Sequence, residues 1–163
     1  LIELSTIFAY PVIDPQRYGV VEFDNEGNAI KIEEKPKKPS SRFAITGLYF
    51  YDSSIVDKAK KISPSSRDEL EITSINQLYL QERRLKVELM GRGMAWLDTG
   101  TFDSLQEAGA FIKTLEKRQG LKIACLEEIA LNNKWITKKD LIESIKFYGN
   151  CEYSKYLKKL ISK

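Results

Sequence analysis

The chain has 163 residues, of which 42% are hydrophobic and 30% charged, and its formal net charge is +3. This balance is typical of one globular domain, and we expect no membrane partner because no apolar run approaches the roughly 18 residues of a membrane-spanning helix. The sequence contains no histidine, which excludes Ser-His and Cys-His catalysis and His-ligated zinc, and its charge is too small to indicate nucleic-acid binding.

The first hundred residues alternate between strand-like and helix-like segments. The turn sequence Asn25-Glu26-Gly27-Asn28 lies between two apolar runs, which is typical of a β-hairpin. Neither GxGxxG nor GxxxxGK[ST] occurs, and residues 1–4 are interpreted as the cut end of a longer chain. The predicted strands are Thr6–Val12, Gly19–Asp24, Ala29–Glu34, Phe43–Tyr51, Leu85–Met90 and Met94–Leu97, and the predicted helices are Asp52–Ile62 and Glu69–Glu82.

Only helices are predicted after residue 100. They cover Phe102–Gln119, Leu126–Leu131, Lys138–Tyr148 and Tyr153–Ile161. The pattern therefore predicts an α/β fold with a helical C-terminal appendage. Residues 134–163 contain eight lysines and three acidic residues, which favours a solvated helical face over a nucleic-acid patch.

The two cysteines, Cys125 and Cys151, have no metal-ligand spacing. No basic region followed by an apolar segment and a small-residue cleavage site opens the chain, so secretion is not indicated. We therefore expect two free thiols and a cytoplasmic location, where thiols stay reduced.

Glu34-Lys35-Pro36 ends a predicted hairpin strand and is the first candidate for chemistry. A carboxylate there can accept hydrogen bonds from vicinal hydroxyls while the neighbouring ammonium contacts a phosphate. The alternative is a charged strand end that enters a lysine-rich loop.

Trp96-Leu97-Asp98-Thr99-Gly100 is the second candidate. An acidic residue that follows a strand is a common ligand of a hard cation, and Trp96 could cover one face of a sugar. The alternative is that Asp98 or Thr99 caps the following helix. The Tyr18-Gly19 pair permits close approach of a ligand or forms a plain turn, and Arg67–Thr73 has the pattern of a capping box.

Six motifs occur in an order and at spacings that are specific when taken together: RYGVVEFD, IEEKP, TGLYFYD, ELEITSIN, GRGMAWLDTGTFDSLQEAG and LEKRQGLKIAC. Together they resemble the C-terminal part of the bacterial glucose-1-phosphate thymidylyltransferases of dTDP-rhamnose and polysaccharide biosynthesis. The resemblance covers nearly the whole chain from about Thr6. It implies part of a Rossmann-like nucleotidyltransferase domain with a mixed sheet.

The resemblance also implies a reaction and a set of site residues. The family makes dTDP-glucose and pyrophosphate from dTTP and glucose 1-phosphate, with Mg²⁺ neutralising the developing charge. By this match Lys35 and Asp98 are catalytic, and Asp98 is also a metal ligand. The implied substrate-binding residues are Tyr18, Gly19, Glu34, Lys35, Thr46, Glu69, Glu71 and Trp96, and the implied regulatory residues are Gly91, Arg92, Glu128 and Ile129.

The family's GxGTR loop, base-reading residues and second metal-binding aspartate have no counterpart in this sequence. We therefore expect residues 1–120 to be the sugar-phosphate-binding part of the domain and residues 121–163 to be a helical assembly and regulatory segment. We expect this chain to be inactive alone and to form a homo-oligomer through exposed apolar surface. Two alternatives stay open: a non-catalytic sugar-phosphate-binding or interaction module, and a relative that uses UTP.

Overall fold

The computed structural model of the chain describes residues 4–162. They form two compact units that divide between Trp96 and Leu97. The predicted boundary at residue 120 separates the expected functions of two segments, and it stays a prediction. Residues 1–3 of the predicted cut end lie outside the described residues. Within residues 4–162, no helix combines the length and the apolar character needed to cross a membrane.

The first unit is built on a five-stranded mixed sheet with the order β3-β2-β4-β1-β5. All neighbouring strands are antiparallel except β1 and β5, which run parallel. Alternate residues such as Ile7 and Ala9 of β1 point into the core, where they meet Val21, Ile32 and Ile45. The predicted mixed α/β fold is confirmed. The strands are β1 Ser5–Pro11, β2 Gly19–Phe23, β3 Ala29–Glu34, β4 Phe43–Phe50 and β5 Leu85–Leu89.

Two helices of this unit, α1 Ile55–Ala59 and α2 Ile72–Gln81, are shorter than predicted. The buried residue of α1 is Lys58, whose ammonium pairs with Glu82. Leu70 lies within the predicted helix Glu69–Glu82 but precedes α2 and is 64% exposed. The predicted helix start at Glu69 is wrong, because Asp68 has a φ of 60° and the carbonyl of Glu69 accepts the backbone N–H of Ser65 at 2.8 Å.

The predicted strand Met94–Leu97 is also wrong. The segment forms only an isolated bridge between Arg92 and Met94, next to Gly93 at a φ of 104°. A positive φ of this kind interrupts an extended strand. Trp96 instead directs its indole N–H to the carbonyl of Thr46, 3.1 Å away.

The second unit is helical, as predicted. Its core contains Cys125, Leu141, Ile145, Tyr156 and Leu157. Three of its helices begin with a capping box, in which the side chain before the helix and the third helical residue satisfy each other's backbone N–H groups. The helices are α3 Phe102–Gln119, α4 Leu126–Asn132, α5 Lys138–Tyr148 and α6 Glu152–Ile161.

Candidate functional site

The end of the β2–β3 hairpin fixes two of the predicted site residues. Gly19 of β2 pairs with Glu34 of β3, and the backbone N–H of Lys35 donates to the carbonyl of Tyr18 at 3.0 Å. Lys35 has a φ of 40°, in the left-handed region that residues other than glycine seldom adopt. Such strained backbone persists where the surroundings impose it, often at a ligand site. The exposed Lys35 side chain therefore leaves the sheet at a defined point.

A buried hydroxyl holds the carboxylate of Glu34. Thr73, in the first turn of α2, donates through Oγ1 to Oε2 of Glu34 at 2.5 Å. A Cβ added at Gly19 would lie 3.1 Å from that hydroxyl and 3.2 Å from Oε2. Gly19 therefore makes room for the contact between Glu34 and Thr73. Its predicted closeness to a ligand stays a prediction.

Arg67 lies among three carboxylates and was not among the predicted site residues. Its guanidinium nitrogens are 3.7 Å from Glu34, 2.7 Å from Glu69 and 3.4 Å from Glu71. The structure thus brings Glu69 and Glu71 to Glu34 through one cation. The signal available in the sequence was the spacing, because Arg67 precedes Glu69 by two residues and Glu71 by four.

The capping-box interpretation of Arg67–Thr73 is wrong. Glu71 occupies the position before α2 and makes no side-chain capping bond to the helix. Its Oε1 instead accepts from the hydroxyl of Ser65 at 3.0 Å. The acidic side chains of this segment are therefore directed to Arg67 and Ser65 rather than to the helix end.

Aromatic rings form a wall beside Tyr18. The rings of Tyr18 and Trp96 lie 5.0 Å apart at 70°, and Tyr10 and Trp96 lie 6.3 Å apart. Edge-to-face contacts of this kind are favourable for aromatic pairs. Thr46 links the wall to the sheet, because its carbonyl accepts the Trp96 N–H while its hydroxyl donates to the carbonyl of Phe8 at 3.2 Å.

Tyr49 of β4 was also not among the predicted site residues. Burial, followed by the negative charge of Glu34, raises the pKa of the Tyr49 phenol above its usual value. Its ring stacks on that of Tyr51 at 5.8 Å. The phenol therefore stays protonated near Glu34 and is available as a hydrogen-bond donor. The alternation in FAITGLYFY, which places Tyr49 and Tyr51 on one face, was the available signal.

Asp98 lies in the loop before α3, at the start of the second unit. The helix cap is Thr101, so the alternative that Asp98 or Thr99 caps α3 is wrong. A Cβ at Gly100 would lie 3.3 Å from Oδ2 of Asp98, so this glycine gives the carboxylate room. The convergence of Asp98 with Glu34 and Lys35 stays a prediction.

A single carboxylate on a loop fits Mg²⁺ as one member of a larger ligand set. Magnesium keeps several waters and is commonly bound through one or two carboxylates together with substrate phosphates. Among residues 4–162, no cluster of three or more His, Cys, Asp or Glu side chains could hold a metal ion. The metal-binding role of Asp98 stays a prediction.

The predicted regulatory residues occur in both units. Gly91 and Arg92 follow β5, where the carbonyl of Gly91 accepts the N–H of Met94 at 3.2 Å. Glu128 and Ile129 belong to α4, and Oε2 of Glu128 accepts from the Tyr156 hydroxyl at 2.5 Å. Their regulatory role stays a prediction.

The sequence matches a known family and several curated proteins. A family model described as nucleotidyl transferase matches residues 2–114. Glucose-1-phosphate thymidylyltransferases from Neisseria gonorrhoeae and Mycobacterium tuberculosis are 52% and 48% identical over 159 residues. Each alignment covers 98% of this chain and 55% of the relative. The chain thus spans about half the length of these curated relatives.

A solved structure is similar in fold. It is a crystal structure from Bacillus anthracis, assigned as a glucose-1-phosphate thymidylyltransferase and determined in complex with sucrose. The superposition has a TM-score of 0.60 at 44% sequence identity and covers 67% of this chain and 43% of the other. The similarity therefore extends from sequence to three-dimensional structure.

Proposed function

Because the chain belongs to the nucleotidyl transferase family, we propose that it is the sugar-1-phosphate-binding part of a glucose-1-phosphate thymidylyltransferase. The reaction joins the phosphate oxygen of glucose 1-phosphate to the α-phosphorus of dTTP, with pyrophosphate as the leaving group. The similarity to thymidylyltransferases over 98% of this chain supports the choice of reaction. The sequence contains no GxGTR loop, so we expect turnover only when a triphosphate-binding segment is supplied.

The observation that carries the proposal is the hydrogen bond between Thr73 and Glu34, directly before Lys35. The bond uses one lone pair of the Glu34 carboxylate and leaves the others to accept hydrogen bonds from sugar hydroxyls. Since Thr73 is buried and comes from another element, the carboxylate is held in place before a ligand arrives. Such preorganisation lowers the entropic cost of binding.

Two cations suit the phosphate of the sugar. Lys35 presents an exposed ammonium at the strand end, and Arg67 presents a guanidinium near Glu34. An arginine can bind a phosphate with two parallel hydrogen bonds, whereas a lysine acts as a point charge. We expect Arg67 to exchange part of its contact with Glu69 and Glu71 for a phosphate contact.

Positioning and charge stabilisation account for catalysis of this kind. The Tyr18–Trp96 wall offers apolar surface to the sugar ring, and the Tyr49 phenol offers a donor near Glu34. Asp98 would hold Mg²⁺, which supplies electrostatic stabilisation of the transferring phosphate. The protein's own groups thereby orient the sugar phosphate for in-line attack.

The finer biological assignments are also part of the proposal. The product, dTDP-glucose, would serve dTDP-rhamnose and polysaccharide biosynthesis, and the two free cysteines suit a reducing cytoplasm. Phe102, Trp135 and Phe147 are each more than 70% exposed, which supports a homo-oligomer. No nucleic acid or membrane belongs to the proposed set of partners.

Isothermal titration of the chain with glucose 1-phosphate tests the binding role. We expect saturable binding that is weakened about tenfold in Lys35→Ala and in Glu34→Gln, because each loses a contact to the ligand. The matched controls are Lys31→Ala and Glu33→Gln. Both residues lie on β3, the strand that contains Glu34, and their side chains pair with each other. Equal weakening in the controls would contradict the assignment.

An activity assay separates the enzyme from a non-catalytic module. We expect no dTDP-glucose from the chain alone, and turnover when it is joined to the N-terminal segment of the gonococcal relative. Lys35→Ala in that fusion should raise KM for glucose 1-phosphate and lower kcat, and Asp98→Asn should weaken the dependence on Mg²⁺. A fusion that binds both substrates without turnover would favour the module, and faster turnover of UTP than dTTP would favour the UTP-using relative.

A further inference from the structure

The helical unit contains a concave pocket that the proposed function does not use. Its volume is about 530 Å³, within the range of small-molecule sites. The C-terminal turns of α3, the loop after α3 and one side of α6 form its walls. None of the residues predicted to bind substrate, metal or regulator lines this pocket.

Four lysines form the rim of what we name the lysine pocket. Lys113 and Lys117 lie four residues apart on α3, and Lys155 and Lys159 lie four residues apart on α6, so each pair shares one side of its helix. All four are exposed. Within residues 4–162, none of them has a carboxylate oxygen within 4.0 Å. The fold therefore brings together two unneutralised pairs that are about forty positions apart in sequence.

The polar groups at the floor of the lysine pocket already have hydrogen-bond partners within the protein. Lys122 donates to Glu116 at 2.5 Å, and the same carboxylate accepts the backbone N–H of Ile123 at 3.0 Å. Tyr156 is buried and its hydroxyl is committed to Glu128. Because these groups already have partners within the protein, the rim lysines are the groups left for a ligand.

The charge of the lining is positive. Besides the internally paired Lys122 and Glu116, only Glu152 opposes the four rim lysines. Like charges four residues apart on a helix repel each other, and concentrated positive charge in a concavity raises the local concentration of anions. A bound anion would therefore relieve repulsion on both helices at once.

We propose that the lysine pocket binds a compact anion that carries a diphosphate or triphosphate group. Such an anion has enough oxygens to contact ammoniums from both helices, and charge-assisted bonds of this type are the stronger class. The net excess of three positive charges in the lining matches a compact polyphosphate. Inorganic pyrophosphate and a nucleoside triphosphate share this chemistry, and this site does not depend on the proposed transferase reaction.

Calorimetric titration with pyrophosphate, and separately with dTTP, tests the proposal in dilute buffer. The Lys155→Gln/Lys159→Gln variant should weaken pyrophosphate binding about tenfold, because two ammonium contacts are lost. The control is Lys139→Gln/Lys158→Gln, which removes the same charge from α5 and from another side of α6, and it should change affinity less than about twofold. Tighter binding of dTTP than of pyrophosphate would identify a nucleotide as ligand, and equal binding would identify the free anion.

Two further measurements separate a loss of charge in the lysine pocket from a loss of folding. Lys155→Arg/Lys159→Arg should keep the affinity within about threefold, since the charge is retained. The thermal unfolding midpoints of all variants should agree, because the four substituted lysines are exposed. The absence of saturable binding of either anion, or equal weakening in the pocket and control variants, would overturn the proposal.

Discussion

The candidate site of the sheet unit and the helix starts of the helical unit depend on contacts of very different range. In the sheet unit, the candidate site joins residues far apart in sequence, such as Thr73 with Glu34 at a separation of 39 and Trp96 with Thr46 at a separation of 50. In the helical unit, the bonds that begin the helices are local, such as Thr137 with Asp140 at a separation of three, whereas the bond between Tyr156 and Glu128 joins residues 28 positions apart. The geometry of the candidate site therefore depends on the tertiary fold, whereas the helix starts are specified by neighbouring residues.

This contrast predicts different responses to similar substitutions. A change at a long-range contact in the sheet unit should alter both stability and ligand binding. A change at a local cap in the helical unit should alter stability alone. Paired variants, one in each unit, measure the difference directly.

The largest effect is expected from Gly19→Val in the sheet unit. Its side chain would enter the space where Thr73 and Glu34 meet, at 3.1 and 3.2 Å from the added Cβ, and overpacking of this kind costs about 1–3 kcal/mol. Gly109→Val is the matched control in α3, because nothing lies within 4 Å of its Cβ position, and it should change stability by less than about 0.5 kcal/mol. Urea denaturation measures the free energy of unfolding of both variants, and equal destabilisation would contradict the expected difference between the two units.

The next effect is expected from Thr73→Val, which keeps the shape of the side chain and removes the donor to Glu34. Loss of a hydrogen bond to a charged group costs about 1.5–3 kcal/mol, and we expect weaker glucose 1-phosphate binding as well. Thr114→Val in α3 removes an exposed bond to the carbonyl of Ala110 and should be nearly neutral. Unchanged sugar-phosphate affinity in Thr73→Val would show that this hydroxyl does not hold Glu34 in its binding position.

A smaller effect is expected from Thr101→Ala, which removes the cap of α3. Loss of an N-cap costs about 1 kcal/mol. Thermal unfolding should report this loss, while the affinity for glucose 1-phosphate stays that of the unsubstituted chain. A drop in affinity would mean that the helical unit influences the candidate site more than local capping predicts.

The smallest effect is a pH dependence at the start of α5. Hydrogen bonds from the side chain and then the backbone of Thr137 lower the pKa of Asp140 below its usual value of 3.8. A carboxyl whose pKa is lower in the folded state stabilises the fold above the unfolded pKa, and this contribution is lost as the pH falls through the folded pKa. The gap in stability between the chain and Asp140→Asn should therefore be constant near neutral pH and narrow below about pH 4. A gap that does not narrow at all as the pH falls below about 4 would contradict the proposed cause.

The same difference in range explains what could be predicted from the sequence. The hairpin strand Ala29–Glu34 and the helices Phe102–Gln119 and Lys138–Tyr148 have the predicted bounds, because turn and capping residues mark their ends locally. The segment after Gly93 was mispredicted, since its path depends on the distant carbonyl of Thr46.

The candidate site was predictable only in part. Glu34 and Lys35 stand out because a carboxylate and an ammonium meet at a strand end. Arg67 and Tyr49 do not, because their closeness to Glu34 arises only when separate elements pack. Candidate residues that are adjacent in sequence were thus easier to predict than those that packing brings beside them.

A crystal structure of this chain with glucose 1-phosphate would show whether the end of the β2–β3 hairpin binds the sugar phosphate. We expect sugar hydroxyls within hydrogen-bonding distance of the Glu34 carboxylate, the phosphate against Lys35, and the Thr73–Glu34 bond intact. Sugar phosphate bound elsewhere, with Glu34 and Lys35 making no contact to it, would rule out this binding site.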